Sequence, residues 1–274
     1  MLKENTLFGE VDKVKIAMNR LRLHEAEALR RNPKGYYVAF SGGKDSCVLL
    51  DLCRRAGVAH HAHYALTTVD PPELVQFIKA QYPEAWEGRE RPKMTMWELI
   101  PKKRMPPTRL ARYCCQTLKE SHGAGNVVLT GIRHAESAKR AKRKLTETCR
   151  AHAKTSYLHP IIDWTEGEVW EYINTYHVPY CKLYDEGFHR LGCVGCPFGG
   201  PAQQRAQFAR WPRIAKSYEK AFDRMIAKRK EDGLGCQWKA GKDVMRWWLM
   251  QGSSTKKDDE SIPLFGLMLD ESDT

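Results

Sequence analysis

The chain has 274 residues, and 45 Lys and Arg against 33 Asp and Glu give it a formal net charge of +12. Its 42% hydrophobic and 10% aromatic content is typical of a globular protein and excludes a disordered or collagen-like chain. No run of about 18 apolar residues occurs, which excludes a membrane-spanning helix. The first ten residues lack the basic and apolar regions of a secretory signal, so we expect a soluble, cytoplasmic protein with no membrane partner. In a reducing compartment, its nine cysteines indicate metal or redox sites rather than disulfides.

The chain alternates short apolar runs with segments of helical periodicity. Helices are predicted over 11–31, 45–56 and 73–81, and a further helix follows a capping-box pattern at Thr165 and Glu168. Strands are predicted over 36–40, 61–66, 126–130 and 158–162. This alternation predicts an α/β fold, a twisted parallel sheet with helices on both faces. Residues 84–112 have no clear period and several prolines, so we expect a long irregular segment there.

The most informative local pattern is Ser41-Gly42-Gly43-Lys44-Asp45-Ser46, which we call the glycine loop. It lies between the first predicted strand and a helix, where α/β sheets place their ligands. Two glycines permit close backbone approach, and the first helical amides can hold an anion. Lys44 adds positive charge, the serine hydroxyls add donors, and Asp45 is expected to hold Mg²⁺ or orient a nucleotide. Lys44 and Asp45 are therefore the predicted catalytic residues; the alternative is a tight turn with a capping Asp.

The glycine loop resembles the SGGxDS pyrophosphate loop of N-type ATP pyrophosphatases and of the phosphoadenylyl sulfate (PAPS) reductase family. Thr130–Ser137 is similar to the family's G-x-R-x-x-[EQ]-S segment, and the run from His159 to Phe188 is similar to its P-[IL]-x-x-W…L-Y-x-x-G-[YF] run. On these motifs the chain is identified as a member of this PP-loop family, in the adenine nucleotide alpha-hydrolase-like superfamily. The resemblance implies that the glycine loop and Arg133 bind an adenine nucleotide, which is ATP or the sulfonucleotides APS or PAPS. A planar guanidinium suits a phosphate or sulfate; the alternative is a surface Arg after a strand.

The second concentrated signal is Cys114-Cys115 followed by the CxxC pair Cys193 and Cys196. Four thiolates from two short segments can hold tetrahedral zinc or an iron–sulfur cluster. The pattern resembles the CC…CxxC ligands of the [4Fe–4S] cluster in APS reductases and in DNA phosphorothioation enzymes, which implies such a cluster here. Zinc and unligated thiols remain alternatives. Cys236 could attack a sulfonucleotide, but the E-C-G-[LI]-H signature that carries the reductase nucleophile does not occur in these 274 residues.

The resemblance covers a nucleotide-binding PAPS-reductase-like domain at 35–200. Periodicity, composition and charge indicate a helical segment at 1–34, a basic helical appendage at 201–250 and an acidic flexible tail at 251–274. The appendage has 12 basic and 5 acidic residues, and 101–120 has 6 basic and 1 acidic. Residues 138–154 have seven basic residues against Glu147. These segments could neutralise a polynucleotide, with Trp and Tyr as stacking surfaces; a solvated basic face is the alternative.

Three functions follow from the resemblance and the charge. The leading hypothesis is ATP-dependent adenylation coupled to sulfur transfer onto DNA or tRNA, with sulfur from a donor protein such as a cysteine desulfurase or thioredoxin. The second is an APS or PAPS reductase that releases sulfite. The third is a non-catalytic regulatory protein that keeps the nucleotide site. A homodimer is also expected.

Overall fold

The computed structural model describes residues 1–7, 9–119, 123–148 and 154–250. The predicted acidic tail and Cys149 lie outside these residues. No helix in the described part of the chain has the length and apolar character needed to cross a membrane.

A five-stranded sheet lies at the centre, and a small antiparallel hairpin precedes it. The hairpin consists of β1 (Lys3–Thr6) and β2 (Gly9–Asp12). The sheet consists of β3 (Tyr36–Phe40), β4 (His60–Tyr64), β5 (Val127–Leu129), β6 (Thr146–Thr148) and β7 (Ser156–Leu158). Its spatial order is β4-β3-β5-β7-β6. Four strands run parallel, as predicted, and β6 adds an antiparallel edge to β7.

Helices flank this sheet, which confirms the predicted α/β class. They are α1 (Lys13–Arg31), α2 (Lys44–Ala56), α3 (Pro72–Gln81), α4 (Pro83–Glu87), α5 (Met96–Lys103), α6 (Tyr113–Leu118), α7 (Glu166–Tyr176), α8 (Gly200–Arg210), α9 (Pro212–Glu231) and α10 (Gly241–Met250). Helix α1 starts where the Asp12 carboxylate accepts the Lys15 amide at 3.0 Å, an N-cap that satisfies an otherwise unpaired donor.

The strand order positions the site. From β3 the chain crosses to β4 on one side and then returns to β5 on the other, so the connections diverge between β3 and β5. In open α/β sheets, ligands bind at the carboxyl ends of strands at such a switch point. The segments after β3 and β5 are the glycine loop and the loop that carries Arg133, so the topology brings the two predicted nucleotide-binding elements together.

Two sequence predictions are wrong in detail. The strand predicted over 158–162 is β7, which begins at Ser156 and ends at Leu158; Pro160 has no N–H with which to continue a ladder. The segment predicted to be irregular over 84–112 contains α4 and α5. Helix α5 begins at a capping box formed by Thr95 and Glu98, whose carboxylate accepts the Thr95 amide at 2.8 Å.

Residues 201–250 are mostly helical, as predicted, and they pack onto the rest of the molecule. Tyr218, Phe222 and Trp248 are almost completely buried where α8, α9 and α10 meet. The Trp248 indole donates to the Pro107 carbonyl at 2.6 Å, across 141 residues of sequence. Burying aromatic side chains of this size is a large apolar contribution to stability. The region 201–250 therefore shares a core with the segment that carries Cys114 and Cys115.

Candidate functional site

The glycine loop is held by its own serines. The Ser41 amide and hydroxyl each lie 3.2 Å from the Ser46 hydroxyl oxygen, and the Ser46 hydroxyl donates to the Gly43 carbonyl at 2.8 Å. Gly42 has a φ of +73°, and a Cβ there would lie 2.7 Å from the Ile78 side chain of α3. Only glycine adopts this backbone without strain or collision. The loop is therefore a tight backbone turn closed against α3, directly before the first amides of α2.

Lys44 is the buried cation of this loop. The residue is 4% exposed, and its ammonium lies 3.5 Å from Asp45 Oδ2 and 3.5 Å from Glu166 Oε1. The Lys44 amide donates to the Tyr184 hydroxyl at 2.9 Å, and the ammonium lies 5.5 Å from the centre of the Tyr184 ring. Burial raises the pKa of Tyr184, so its hydroxyl keeps its proton and can donate to a bound anion. Glu166 and Tyr184 were not predicted as site residues.

Arg133 lies beside the glycine loop, as the resemblance implies. It is 2% exposed, and its Nε donates to Asp45 Oδ1 at 2.6 Å. Its own amide donates to the Glu136 carboxylate at 2.9 Å. A Cβ on Gly131 would lie 3.0 Å from Asp45 atoms, so the two loops are in contact. Asp45 thus bridges the two predicted nucleotide-binding cations.

A neutral histidine lies next to the loop that carries Arg133. His159, at the end of β7, is completely buried, and its Nδ1 lies 2.7 Å from the Thr130 hydroxyl oxygen. Burial, with a smaller contribution from the Arg143 guanidinium, lowers the pKa of His159 to about 4. His159 therefore supplies a fixed polar contact at the end of β5 and adds no charge near neutral pH.

The two predicted cysteine pairs lie near each other at a second position. Cys114 and Cys115 lie in the first turn of α6, and their side chains are hydrogen-bonded to each other. Cys193 and Cys196 form a turn in which the Cys196 amide donates to the Cys193 carbonyl at 3.3 Å. Cys114 interacts electrostatically with both residues of that turn. The hydrogen bond from Cys114 and the nearby Arg112 guanidinium lower the pKa of the Cys115 thiol.

The C-terminal helices hold the CxxC turn in place. The Gly195 amide donates to Gln207 Oε1 at 2.8 Å, and the Gln204 amide nitrogen donates to the Gly195 carbonyl at 2.9 Å. The Tyr218 hydroxyl donates to the Val194 carbonyl at 3.0 Å. Both glutamines are buried, so these bonds are protected from water. Sequence reasoning missed this support, because it depends on contacts between distant segments.

The loop after β4 connects the cysteines to the sheet. The Cys193 thiol lies 3.4 Å from the Thr67 hydroxyl oxygen, and the Val194 amide donates to the Val69 carbonyl at 2.9 Å. The charges of Cys193 and Asp70 raise the pKa of Lys119, which keeps a positive charge beside the thiols. The cysteines therefore adjoin the carboxyl end of β4, next to the strand that leads into the glycine loop.

Thiols are the donor type that zinc and iron–sulfur clusters take. All four thiols are partly accessible, and the charge of Cys114 interacts with those of the other three. Across the described ranges, no group of three or more His, Cys, Asp or Glu side chains has the arrangement of a metal-ligand set. Cys236 lies on the loop after α9, where its thiol donates to the Trp238 carbonyl at 3.5 Å.

The comparisons define the class of this chain. Residues 35–198 match the family model for the phosphoadenosine phosphosulfate reductase domain. The chain belongs to this family, as its motifs predicted.

Among its relatives, an adenosine 5'-phosphosulfate reductase from Shouchella clausii is 26% identical over 200 residues, which cover 65% of this chain and 78% of the relative. An uncharacterised protein from Methanocaldococcus jannaschii is 28% identical over 227 residues, which cover 78% of this chain and 46% of that longer protein. A crystal structure of a PAPS reductase from Candida auris is 19% identical, with a TM-score of 0.49 over 65% of this chain and 87% of that one.

Proposed function

We propose that this protein is an ATP-dependent sulfur-transfer enzyme that adenylates an oxygen of a nucleic acid. The observation that carries this proposal is the pair of carboxylates, Asp45 and Glu166, on the Lys44 ammonium at the start of α2. A triphosphate is bound as a complex with Mg²⁺, which proteins hold through one or two carboxylates together with the phosphates themselves. A sulfonucleotide has no triphosphate for such a cation to bridge. The paired acids therefore favour ATP over APS or PAPS.

The residues of the site have distinct tasks in this reaction. The backbone of the glycine loop and the Lys44 ammonium bind the β- and γ-phosphates, and the Tyr184 hydroxyl donates to a phosphate oxygen beside the Lys44 amide. Arg133 orients the α-phosphate through its planar guanidinium. Mg²⁺, held by Asp45 and Glu166, would supply positive charge for the departing pyrophosphate. Preorganised donors of this kind lower the barrier because charge on the leaving group grows in the transition state.

The bond changes balance in two steps. An acceptor oxygen attacks the α-phosphorus, the α–β phosphoanhydride bond breaks, and pyrophosphate leaves. Hydrosulfide then attacks the acceptor carbon, the bond from that carbon to the adenylated oxygen breaks, and AMP leaves with this oxygen. A [4Fe–4S] cluster held by Cys114, Cys115, Cys193 and Cys196, with one thiolate on each iron, would supply electron-transfer chemistry.

The second candidate function is an APS or PAPS reductase, and the relatives favour it. The relatives of this chain include several adenosine 5'-phosphosulfate reductases at 25–27% identity. That reaction needs a thiol that captures the sulfur, and Cys236 is the candidate nucleophile. Its thiol is partly accessible and lies outside the four-cysteine site.

The test is a product analysis with anaerobically purified protein. We expect ATP, Mg²⁺, a sulfide source and a pool of RNA or DNA to yield equal amounts of pyrophosphate and AMP. Lys44→Met should lower this turnover about 100-fold or more, the usual effect of losing one transition-state donor. The matched control is Lys79→Met, an exposed lysine on α3, which should keep wild-type turnover. Sulfite release from APS, lost in Cys236→Ser, together with no pyrophosphate from ATP, would establish the reductase instead.

A further inference from the structure

An exposed apolar and basic patch borders the four cysteines. Leu110 is 97% exposed and Phe198 is 45% exposed, and both are large apolar side chains. The Arg112 guanidinium lies 5.0 Å from the centre of the Phe198 ring, and Arg109 Nε donates to the Pro197 carbonyl at 3.2 Å. We call Arg109, Leu110, Arg112 and Phe198 the stacking patch. Exposed apolar groups gathered in this way mark interaction surfaces more often than scattered ones do.

The loop that carries this patch is firmly anchored. The Tyr113 hydroxyl donates to the Met105 carbonyl at 2.6 Å, and the Trp248 indole fixes Pro107. The Ala111 amide donates to the Thr108 hydroxyl at 2.9 Å, which closes the tip. These hydrogen bonds, two within the segment and one from α10, hold the loop that exposes Leu110 to solvent. Because the loop is already ordered, it loses less conformational entropy when a partner binds.

The chemistry of the patch points to one class of partner. Residues 101–120 include six basic residues and one acidic residue. The Arg109 guanidinium donates to a backbone carbonyl, that of Pro197. Alternation of arginine with an exposed aromatic ring suits a single-stranded polynucleotide, whose phosphates pair with guanidinium groups and whose unpaired bases stack on aromatic rings. A duplex keeps its bases stacked internally and offers no free base face to Phe198.

On the basis of the function proposed above, we propose that the stacking patch binds an unpaired nucleotide of the nucleic-acid substrate and delivers it to the cysteines. Phe198 follows Cys196 by two residues, and Arg112 precedes Cys114 by two. A base stacked on Phe198 therefore lies beside the four thiols. The partner is single-stranded RNA or DNA, and the patch favours a looped or unpaired acceptor site over paired bases.

The test is fluorescence anisotropy with a labelled mixed-sequence oligonucleotide, as a single strand and as a duplex, without ATP. Wild type should bind the single strand more tightly than the duplex. Phe198→Ala should weaken single-strand binding about tenfold, since one stacked base contributes on that scale. Phe198→Trp should keep the wild-type affinity. Arg109→Gln should weaken binding to both forms and lower the slope of log K against log salt by about one.

Controls separate a binding effect from a folding effect. Leu23→Ala removes a 79% exposed leucine from α1, on an element far in sequence from the patch, and should change neither affinity nor preference. Thermal unfolding and the iron content of each variant check the fold and the cysteine site. Equal single-strand affinity for Phe198→Ala and wild type, or no preference for single strands, would overturn the stacking patch. Because the assay uses no ATP, this failure would leave pyrophosphate release intact and is distinguishable from failure of the proposed function.

Discussion

Gly42 gives the sharpest stability test of the glycine loop. In Gly42→Ala the new residue must keep a φ of +73°, and its Cβ would lie 2.7 Å from Ile78 and 2.8 Å from Leu74. The left-handed backbone costs about 1–2 kcal/mol for an L-residue. Both neighbours are buried, so the collision adds about 1–3 kcal/mol of overpacking. We therefore expect a loss of about 2–5 kcal/mol in the free energy of unfolding.

The chain offers a matched control at the other end of the same helix. Gly57 has a φ of +69° and no atom within 4 Å of its ideal Cβ, so Gly57→Ala has the backbone cost alone. Urea unfolding should show a further loss of about 1–3 kcal/mol for Gly42→Ala relative to Gly57→Ala. Calorimetry should show weaker nucleotide binding for Gly42→Ala and wild-type binding for Gly57→Ala. Equal stability losses with unchanged nucleotide affinity in both variants would refute the closed geometry of the loop.

Four further outcomes follow from the same contacts. Arg133→Met should weaken nucleotide binding at least about tenfold by calorimetry, and Arg133→Lys should be intermediate, because lysine keeps the charge but loses the planar fork; equal affinity in all three proteins would contradict its role. Tyr184→Phe removes the hydroxyl that accepts the Lys44 amide and should lower the free energy of unfolding by about 1 kcal/mol. An unchanged urea midpoint would contradict a stabilising role for this hydrogen bond. Cys193→Ser should lower iron and sulfide content after anaerobic purification, whereas Cys53→Ser, buried in α2, should not; stoichiometric zinc without sulfide would exclude the cluster. The pKa of His159 is about 4 in the folded protein, below its usual value of about 6.5, so the unfolded state binds more protons between these two pH values. The free energy of unfolding should therefore rise with pH from 4 to 6.5, by up to about 3 kcal/mol. His159→Gln should flatten this rise in urea titrations at several pH values, and an unaltered rise would argue against a neutral buried His159.

Sequence reasoning succeeded where the signal is local. The glycine loop joins a strand to a helix over a few residues, so its turn, its charge and its place at the sheet edge follow from neighbouring residues. Arg133 follows the next inner strand, and the parallel topology brings it to the same edge. The capping box at Thr165 is present, with the Glu168 amide donating to the Thr165 hydroxyl at 3.2 Å.

The missed features depend on contacts between distant segments. The sequence pattern around Glu166 indicates only the start of a helix. Nothing near it in sequence indicates that its carboxylate reaches Lys44. Tyr184 lies 140 residues from the amide that it caps. By contrast, α5 could have been found, because Thr95 and Glu98 have capping-box spacing that the prolines nearby obscured.

The choice of nucleotide tests the central claim most directly. Isothermal calorimetry on anaerobically prepared protein should compare ATP with Mg²⁺, APS and PAPS, with Asp45→Asn as the variant that weakens the cation site. We predict that ATP with Mg²⁺ binds at least about tenfold more tightly than either sulfonucleotide, a difference of about 1.4 kcal/mol, and that this preference falls in Asp45→Asn. Tighter binding of APS or PAPS, independent of Mg²⁺, would contradict an adenylating enzyme and favour a sulfonucleotide reductase.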